Sequence, residues 1–496
     1  MVTVQDDSDI IMQDVDIVHN HDADNTSSSR NEEGGNLIHD CKSLLNHEEE
    51  VGGRSKIEEA TPTDNAASNR IVVVDADLVA VVVDDDQHVL SSSSDYHNHT
   101  KTHDVALERK LQAAPSWVER GDTKLVGTSD FDKFGTPSSL SANGMVLAIG
   151  APYSNGGPGQ DSGSVQVFDY ADGISYKPRG PAIHGAAMGD TFGWAVSLSN
   201  NGDVLAVGAP ISNGLGYVKI YKYDGSQYSE VTTIAETIPN YRFGYAVSLS
   251  GDGKRLAVGQ PWASWGGYAY VYNVDLSTKL ATEIFYDYGA WFGSGQFGYS
   301  VALSDDSNLL AVGDSFLSKV HVYLFDGATY KVLCIKLGEA VTFSGDGTRF
   351  AVRNQTSAFV SVYSINAAKQ CDQLGQNISI STQSFSGGDY DPTEILMSLS
   401  NDGHVLAVAN PLNANGVQVY EEKYVGGQLE YSTRGNAISA NSTAVSLSDD
   451  GKVLAIGVQR RDLGNGQIED NGSTLVYEWT SQSTSSGPTP SPTPVS

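Results

Sequence analysis

The chain has 496 residues, of which 60 are acidic and 30 are basic, so its formal net charge is −30. Nucleic acids and anionic membranes bind through basic patches, and this charge therefore disfavours both as partners. It suits a basic protein, a cation or simple solubility. Three cysteines are too few for a disulfide framework.

Residues 1–114 form a predicted disordered tail that is acidic and contains eight of the eleven histidines. Ser, Asn and Gly interrupt it without a sustained hydrophobic period, which is typical of a segment that buries no core. The exception is the apolar run from Ile71 to Val83, which is too short for a membrane span. It suits a local strand or a partner-docking segment. The histidine clusters are accompanied neither by cysteines nor by the spacing that a helix would fix. We therefore interpret them as part of a polar, disordered segment rather than as a metal site.

A hairpin sequence recurs seven times in the rest of the chain, and Phe192 to Pro210 is its clearest copy. Strand A ends in Leu-Ser or Phe-Ser, a turn rich in Asn, Asp and Gly follows, and strand B returns as Leu-Ala-Val-Gly. Most copies continue with a strand C of alternating Val and Tyr and a strand D that often contains Arg-Gly or Leu-Gly. The copies lie about 40 to 58 residues apart, the range for one four-stranded propeller blade.

These repeats predict an all-β fold, a seven-bladed β-propeller of four-stranded blades over residues 115–481. The last repeat stops after strand C, whereas a lone segment of D type, 117–127, precedes the first strand A. Because an exposed sheet edge promotes aggregation, we predict that 117–127 is the outer strand of blade 7 and closes the ring. The blades are expected at about 134–185, 192–238, 243–288, 297–337, 338–381, 393–440 and 443–480.

Two short motifs mark the ends of these strands. Gly-Ala-Pro or a close variant ends strand B in blades 1, 2, 3 and 6. Phe-Gly precedes strand A in blades 1 to 4, at Phe134, Phe192, Phe243 and Phe297. The combination resembles the FG-GAP repeat of integrin α-subunit propellers, over roughly 117–480. The resemblance implies adhesion or recognition at a cell surface or in the extracellular space.

Propellers of that family bind calcium in the A–B turn through a pattern that resembles Asp-x-Asp-x-Asp-Gly-x-x-Asp. Here the last ligand position is apolar in every repeat, as at Leu256, three residues after Asp252-Gly253. We therefore expect no cofactor and disfavour calcium. Ser-x-Asp-Gly is interpreted as a turn whose side chains bond the backbone.

Aromatic residues are frequent in the loops from strand D to strand A and from strand B to strand C. Exposed Trp and Tyr at such a rim are typical anchors for a protein or a glycan, although packing between blades is their more frequent role. The aromatics that follow Phe-Gly, such as Trp194, are expected to be structural. The candidate partner-binding residues are Tyr153, Asp161, Tyr241, Trp262, Trp265, Trp291 and Phe292.

No catalytic signature is found, whether nucleophile elbow, His-Glu-x-x-His, P-loop or spaced Cys–His pair. Paired acids such as Asp305-Asp306 and Asp449-Asp450 lie in turns, where we expect them to face water with ordinary pKa values. We predict a non-catalytic, monomeric module that binds a protein or glycan through its rim loops. The alternatives are a soluble intracellular scaffold and a propeller hydrolase or lyase with acids at the channel mouth.

The remaining features concern compartment. No secretory signal is recognised at the start, no apolar run is long enough for a transmembrane helix, and 482–496 is a Ser/Thr/Pro-rich stalk or linker. Cys334 and Cys371 lie in or beside D strands, which leaves a disulfide open, although two free thiols are favoured. Sequons for N-glycosylation have meaning only in a secreted chain. They occur at Asn25, Asn98, Asn354, Asn377, Asn441 and Asn471.

Overall fold

The chain divides into two compact units, Met1–Leu111 and Gln112–Ser496. In the first unit the described residues form one antiparallel hairpin, β1 (Arg70–Asp75) with β2 (Leu78–Val83), in the apolar run of the tail. The rest of the predicted tail and the stalk at 482–496 lie outside the described residues. The computed structural model describes residues 70–75, 78–83, 115–121, 125–129, 132–211, 215–236, 241–263, 266–289, 295–354, 356–380, 397–409, 416–440, 442–458, 461–462, 468–469 and 472–480.

The second unit is a seven-bladed β-propeller of antiparallel blades, as the repeats predict. Two short strands, β3 (Ser116–Glu119) and β4 (Leu125–Val126), precede the first blade. Strand D of blade 1 is split in two. Blades 1 to 3 contain β5 (Ser138–Leu140), β6 (Val146–Ala151), β7 (Ser164–Asp169), β8 (Lys177–Pro178), β9 (Ile183–His184), β10 (Ala195–Leu198), β11 (Val204–Ala209), β12 (Tyr217–Tyr223), β13 (Tyr228–Ala235), β14 (Ala246–Leu249), β15 (Arg255–Gln260), β16 (Tyr268–Asp275) and β17 (Leu280–Tyr288).

Blades 4 to 6 repeat the four-stranded pattern without interruption, and blade 7 has a small extra two-stranded hairpin between its strands B and C. These blades contain β18 (Phe297–Leu303), β19 (Leu309–Asp314), β20 (Lys319–Phe325), β21 (Tyr330–Leu337), β22 (Ala340–Phe343), β23 (Arg349–Asn354), β24 (Phe359–Ile365), β25 (Cys371–Ser379), β26 (Met397–Leu399), β27 (Val405–Ala409), β28 (Val417–Val425), β29 (Gln428–Thr433), β30 (Ser442–Leu447), β31 (Val453–Val458), β32 (Arg461–Asp462), β33 (Ile468–Glu469) and β34 (Ser473–Thr480).

The hydrophobic core lies between the blades rather than within any one of them. Strand B reads as a continuous apolar run because both of its faces are covered, and all six residues of β11 are buried. Val165 of blade 1 packs in one cluster with Phe192 and Val207 of blade 2. Each blade therefore depends on its neighbours for its buried surface.

The segment before blade 1 closes the ring, which confirms the predicted latch. β3 is antiparallel to β34, with Trp117 opposite Trp479, and β4 pairs with the other end of β34. Leu125 packs in the core between blades 7 and 1 together with Val476. Blade 7 thus takes its outer strand from the N-terminal side of the propeller, and no described C strand of the ring is left as an open edge.

Arginines of strand D join successive blades, and they belong to the Arg-Gly steps noted in the sequence. In three seams the guanidinium lies over an aromatic ring of the next blade, a cation–π arrangement. The latch takes part through Arg120, which also donates from Nη1 to the Gly144 carbonyl at 3.0 Å. The distances from Cζ to the ring centroid are 4.0 Å for Arg120–Tyr170, 4.0 Å for Arg179–Tyr223 and 4.7 Å for Arg434–Trp479.

A disulfide between Cys334 and Cys371 joins the outer strands of blades 4 and 5. The interpretation of these residues as two free thiols was therefore wrong. The D strands of neighbouring blades approach at this seam, and the two Cα atoms lie 6.5 Å apart, within bridging range. The two half-cystines are separated by 37 residues, so only the packing of adjacent blades brings them together.

Candidate functional site

The ring has two ends that differ in construction. We call the end that carries the A–B turns and the C–D connections the turn face, and the end that carries the B–C and D–A loops the loop face. Every A–B turn has five residues, from 141–145 in blade 1 to 448–452 in blade 7. By contrast, the B–C loops range from four residues (315–318) to 14 (459–472), and the D–A loops from two (338–339) to 17 (380–396).

On the turn face, the repeated Ser-x-Asp or Ser-x-Asn step makes the hydrogen bonds that the sequence predicts. In blade 3, Ser250 Oγ donates to Asp252 Oδ1 at 2.8 Å and accepts from the Arg255 amide at 2.9 Å. The same two bonds occur in all seven blades. These oxygens act as turn caps within each hairpin.

Backbone hydrogen bonds link the seven turns into a closed ring. The residue that follows the turn serine bonds to its counterpart in the next blade, as in Asn200 N–H to Gly251 O at 2.9 Å. Asp449 N–H donates to Ala142 O at 2.7 Å, which joins blade 7 to blade 1. Between blades 5 and 6 the donor is Asp346, the neighbour of the ring residue. The turn ring consists of Ala142, Asn200, Gly251, Asp305, Gly345, Asn401 and Asp449.

The acids of the turn ring do not have ordinary pKa values, contrary to the prediction that they simply face water. Burial raises the pKa of Asp305, and Asn200 Nδ2 donates to its Oδ2 at 2.7 Å. Burial and the nearby Asp305 and Asp450 carboxylates raise the pKa of Asp449 to about 6. Asp305 and Asp449 are 144 residues apart in sequence, and only ring closure brings their charges together.

The substitution Asp449→Asn is expected to stabilise the protein at pH 7.5. The folded pKa of about 6 exceeds the ordinary 3.8, so the ionised carboxylate costs stability above pH 6, and this cost disappears as the pH falls to about 4. Because Asp449 is half-exposed, we expect a gain of only about 1 kcal/mol. Thermal melts of the variant and wild type at pH 7.5 and pH 4.5 measure the difference.

Asp450→Asn is the matched control for this variant. Burial raises the pKa of Asp450, but hydrogen bonds from Ser448 and Lys452 outweigh it and lower the value. Asn occupies the same turn position at Asn143 and Asn201 with the same bonds, so the control should be neutral or slightly destabilising. A stability gain for Asp449→Asn that is as large at pH 4.5 as at pH 7.5 would contradict the proposed charge effect.

On the loop face, a row of packed aromatic rings runs across blades 1 to 4. We call Tyr153, Trp194, Tyr245 and Tyr299 the aromatic row; successive ring centroids lie 6.3, 5.8 and 5.8 Å apart. The last three follow Phe-Gly and are buried, as expected. Trp262 adds an edge contact to Tyr245 at 4.8 Å. Tyr153 and Trp262 are half-exposed and form the accessible margin of the row.

Two cations lie over this margin, and sequence reasoning missed both. Lys133 Nζ is 4.8 Å from the Tyr153 ring centroid, and Arg242 Cζ is 4.5 Å from that of Trp262. Both residues immediately precede a Phe-Gly step and have positive φ, 53° and 54°. That shared position before Phe-Gly was the available signal. The margin therefore combines two aromatic rings with two cations in a strongly acidic chain.

Of the other candidate rim residues, Asp161 and Tyr241 lie within the described residues. Asp161 has φ 53° and stabilises the loop through backbone hydrogen bonds. Its amide donates to Asn155 Oδ1 at 2.9 Å, and its carbonyl accepts from the Thr191 amide. Tyr241 is half-exposed beside Arg242. The remaining candidates, Trp265, Trp291 and Phe292, lie outside the described residues.

Buried carboxylates near the loop face support its loops. Asp190 is fully buried, and its Oδ2 accepts from the Ala186 and Ala187 amides and from the Tyr217 hydroxyl at 2.8 to 2.9 Å. Asp314 Oδ1 accepts from three loop amides in the same way. Hydrogen bonding of this kind fixes loop conformation.

No protein family and no curated protein matches the chain. Similar solved structures include the β-propeller domain of Cps50 (Swd1) from Myceliophteria thermophila, with 10% identity, 73% of this chain and 100% of that chain covered, and TM-score 0.48. A putative 6-phosphogluconolactonase from Bacteroides uniformis has 15% identity, 68% and 99% coverage, and TM-score 0.47. The periplasmic gluconolactonase of Pseudomonas aeruginosa has 21% identity, 72% and 98% coverage, and TM-score 0.44. Likeness at these values carries no argument about function.

The described residues contain neither a candidate metal site nor a candidate membrane-spanning helix. No group of three or more His, Cys, Asp or Glu side chains there is arranged to hold a metal ion. Nor is any helix in that part of the chain long and apolar enough to cross a membrane.

Proposed function

We propose that the propeller is a non-catalytic binding module that recognises a protein partner through its loop face. The observation that carries the proposal is the contrast between the ends of the ring. At one end, seven A–B turns of equal length are linked by hydrogen bonds, whereas at the other end the B–C and D–A loops differ widely in length. A rigid scaffold with variable loops on one side is the usual construction of a recognition surface.

The aromatic margin supports a protein partner over a glycan. A glycan typically stacks on a free aromatic face, whereas Lys133 and Arg242 lie over the rings of Tyr153 and Trp262. Aromatic residues beside Arg are typical anchors of protein interfaces. The FG-GAP-like motifs are compatible with adhesion as the setting of this recognition. The loop-supporting bonds of Asp190 and Asp314 favour a structural rather than a catalytic role for the buried acids.

The test screens the full chain against purified secreted and cell-surface proteins and against a glycan array. We expect a protein partner whose affinity falls at least about tenfold in the double variant Tyr153→Ala/Trp262→Ala, as is usual for interface anchors. Tyr424→Ala is the matched control, because Tyr424 is an exposed aromatic residue near the C-terminal end of β28, the end away from the loop face. Melting curves show whether each variant is folded.

Three outcomes would overturn the proposal. Protein binding that survives the double variant would exclude the aromatic margin as the contact. Binding to glycans alone would replace the proposed partner class. Turnover of a lactone or glycoside by the purified chain, lost on substitution of Asp305 or Asp449, would favour the enzymatic alternative. Lys133→Glu and Arg242→Glu provide a second pair of variants if the aromatic double variant does not fold.

A further inference from the structure

The disulfide at the seam of blades 4 and 5 gives information about the compartment in which the chain matures. The Cys334–Cys371 bridge lies beside Leu333 and Ile365, against the core between the two blades. Structural disulfides form and persist in oxidising compartments and are rare in the cytosol. In the secretory compartments of eukaryotic cells, Asn-x-Ser/Thr sequons become acceptors for N-linked oligosaccharides. Which sequons can carry an oligosaccharide then depends on how accessible each asparagine is in the folded chain.

Two of the six sequons have their asparagine within the described residues, and the two differ in accessibility. Asn354 ends β23, is 4% exposed, and uses its Oδ1 to accept from the Ser357 amide at 2.8 Å. An oligosaccharide on this side chain would have to displace the packed end of strand B. Asn354 is therefore unsuited to modification, although its sequence Asn-Gln-Thr fits the motif.

Asn377 lies in β25, the outermost strand of blade 5, and its side chain is exposed. Its Oδ1 accepts from Ser361 Oγ at 2.7 Å and from Gln373 Nε2 at 2.8 Å. Both bonds use the carbonyl oxygen, so the side chain is held while Nδ2 remains the atom available for substitution. Ile378 is buried in the blade, and the alternation of a strand places Asn377 and Ser379 on the opposite face, where both are exposed.

We propose that Asn377 is an N-glycosylation site and that Asn354 is not. Nδ2 of Asn377 forms a bond to the anomeric carbon of the first sugar of an oligosaccharide. The bond that breaks joins this carbon to the phosphate of a lipid diphosphate donor. The amide nitrogen loses one proton and the lipid diphosphate leaves. Ser379 supplies the hydroxyl of the sequon, Asn377-Ile378-Ser379.

The test expresses the full chain behind a cleavable secretory leader in eukaryotic cells and purifies it from the medium. A glycan-removing amidase in ¹⁸O water converts each occupied Asn to labelled Asp, which peptide mass spectrometry locates. We expect label at Asn377, none at Asn354, and a Cys334–Cys371 cross-link in the unreduced digest. Unlabelled Asn377 or labelled Asn354 in the secreted protein would overturn the proposal.

Two sequon variants and one control give an independent readout. Asn377→Gln and Ser379→Ala are each expected to increase gel mobility by the loss of one glycan. Thr356→Ala, which destroys the Asn354 sequon, should leave the mobility unchanged. Mobility that is unaffected by both Asn377→Gln and Ser379→Ala would contradict the proposal. Site mapping on the wild-type chain decides the question if either variant is retained in the cell.

Discussion

Deletion of residues 115–127 is expected to abolish cooperative folding of the propeller at physiological temperature. The deletion removes β3 and β4, leaves β34 as an open edge, and takes away the Trp117–Trp479 contact and the Arg120 bridge to Tyr170 of blade 1. Losing this much buried contact should cost at least about 5 kcal/mol, comparable to the total stability of many domains.

Calorimetry and size-exclusion chromatography measure the effect of the deletion. The control deletes residues 1–111, which form the separate first unit, and should leave the melting temperature of the propeller unchanged. A synthetic peptide covering 112–130 should restore folding in trans, because it supplies the missing outer strand. A propeller that melts normally without 115–127 would show that closure of the ring does not depend on this segment.

The second large effect is expected for Gly457→Ala, a single methyl group at the seam of blades 7 and 1. A Cβ on Gly457 in β31 would collide with the carbonyl oxygen of Gly135, which belongs to the Phe-Gly step of blade 1. Neither backbone can retreat, because each is hydrogen-bonded within its own blade. We expect the free energy of unfolding to fall by about 3 kcal/mol or more, and urea denaturation measures this change.

The repeats themselves supply the control for Gly457→Ala. In four seams the strand-B glycine faces the carbonyl of a glycine before the next strand A, and in the seam of blades 4 and 5 Gly313 faces the carbonyl of Glu339. Blade 6 has Ala409 at the corresponding place in strand B. Ala409→Gly, at the same position of blade 6, should cost only about 1 kcal/mol, from backbone entropy. Equal effects of the two substitutions would refute the steric explanation.

The blade count and the latch were predictable because they depend on local patterns repeated along the chain. The step from Ser250 to Arg255 is legible as a turn in one copy, and seven copies fix the number of blades. Blade 7 is then the one blade without a strand D of its own, and the D-type segment around Trp117 fills that position beside β34. By contrast, the candidate rim residues were chosen by residue type and loop position alone. This selection included Tyr153 and Trp262 but missed Lys133 and Arg242, whose role depends on the ring beneath each cation.

The sequence by itself determined the strands, their order and the closure of the ring, because alternation, turn chemistry and repeat spacing act over short stretches of chain. Only the tertiary structure decided what meets across the blades. It paired Cys334 with Cys371 and brought Asp449 close enough to Asp305 for the two carboxylates to repel each other. It also distinguished the accessible Asn377 from the buried Asn354. These relations join residues in different blades or depend on which side of a strand is covered. They follow from the twist and packing of neighbouring sheets, which no local pattern records.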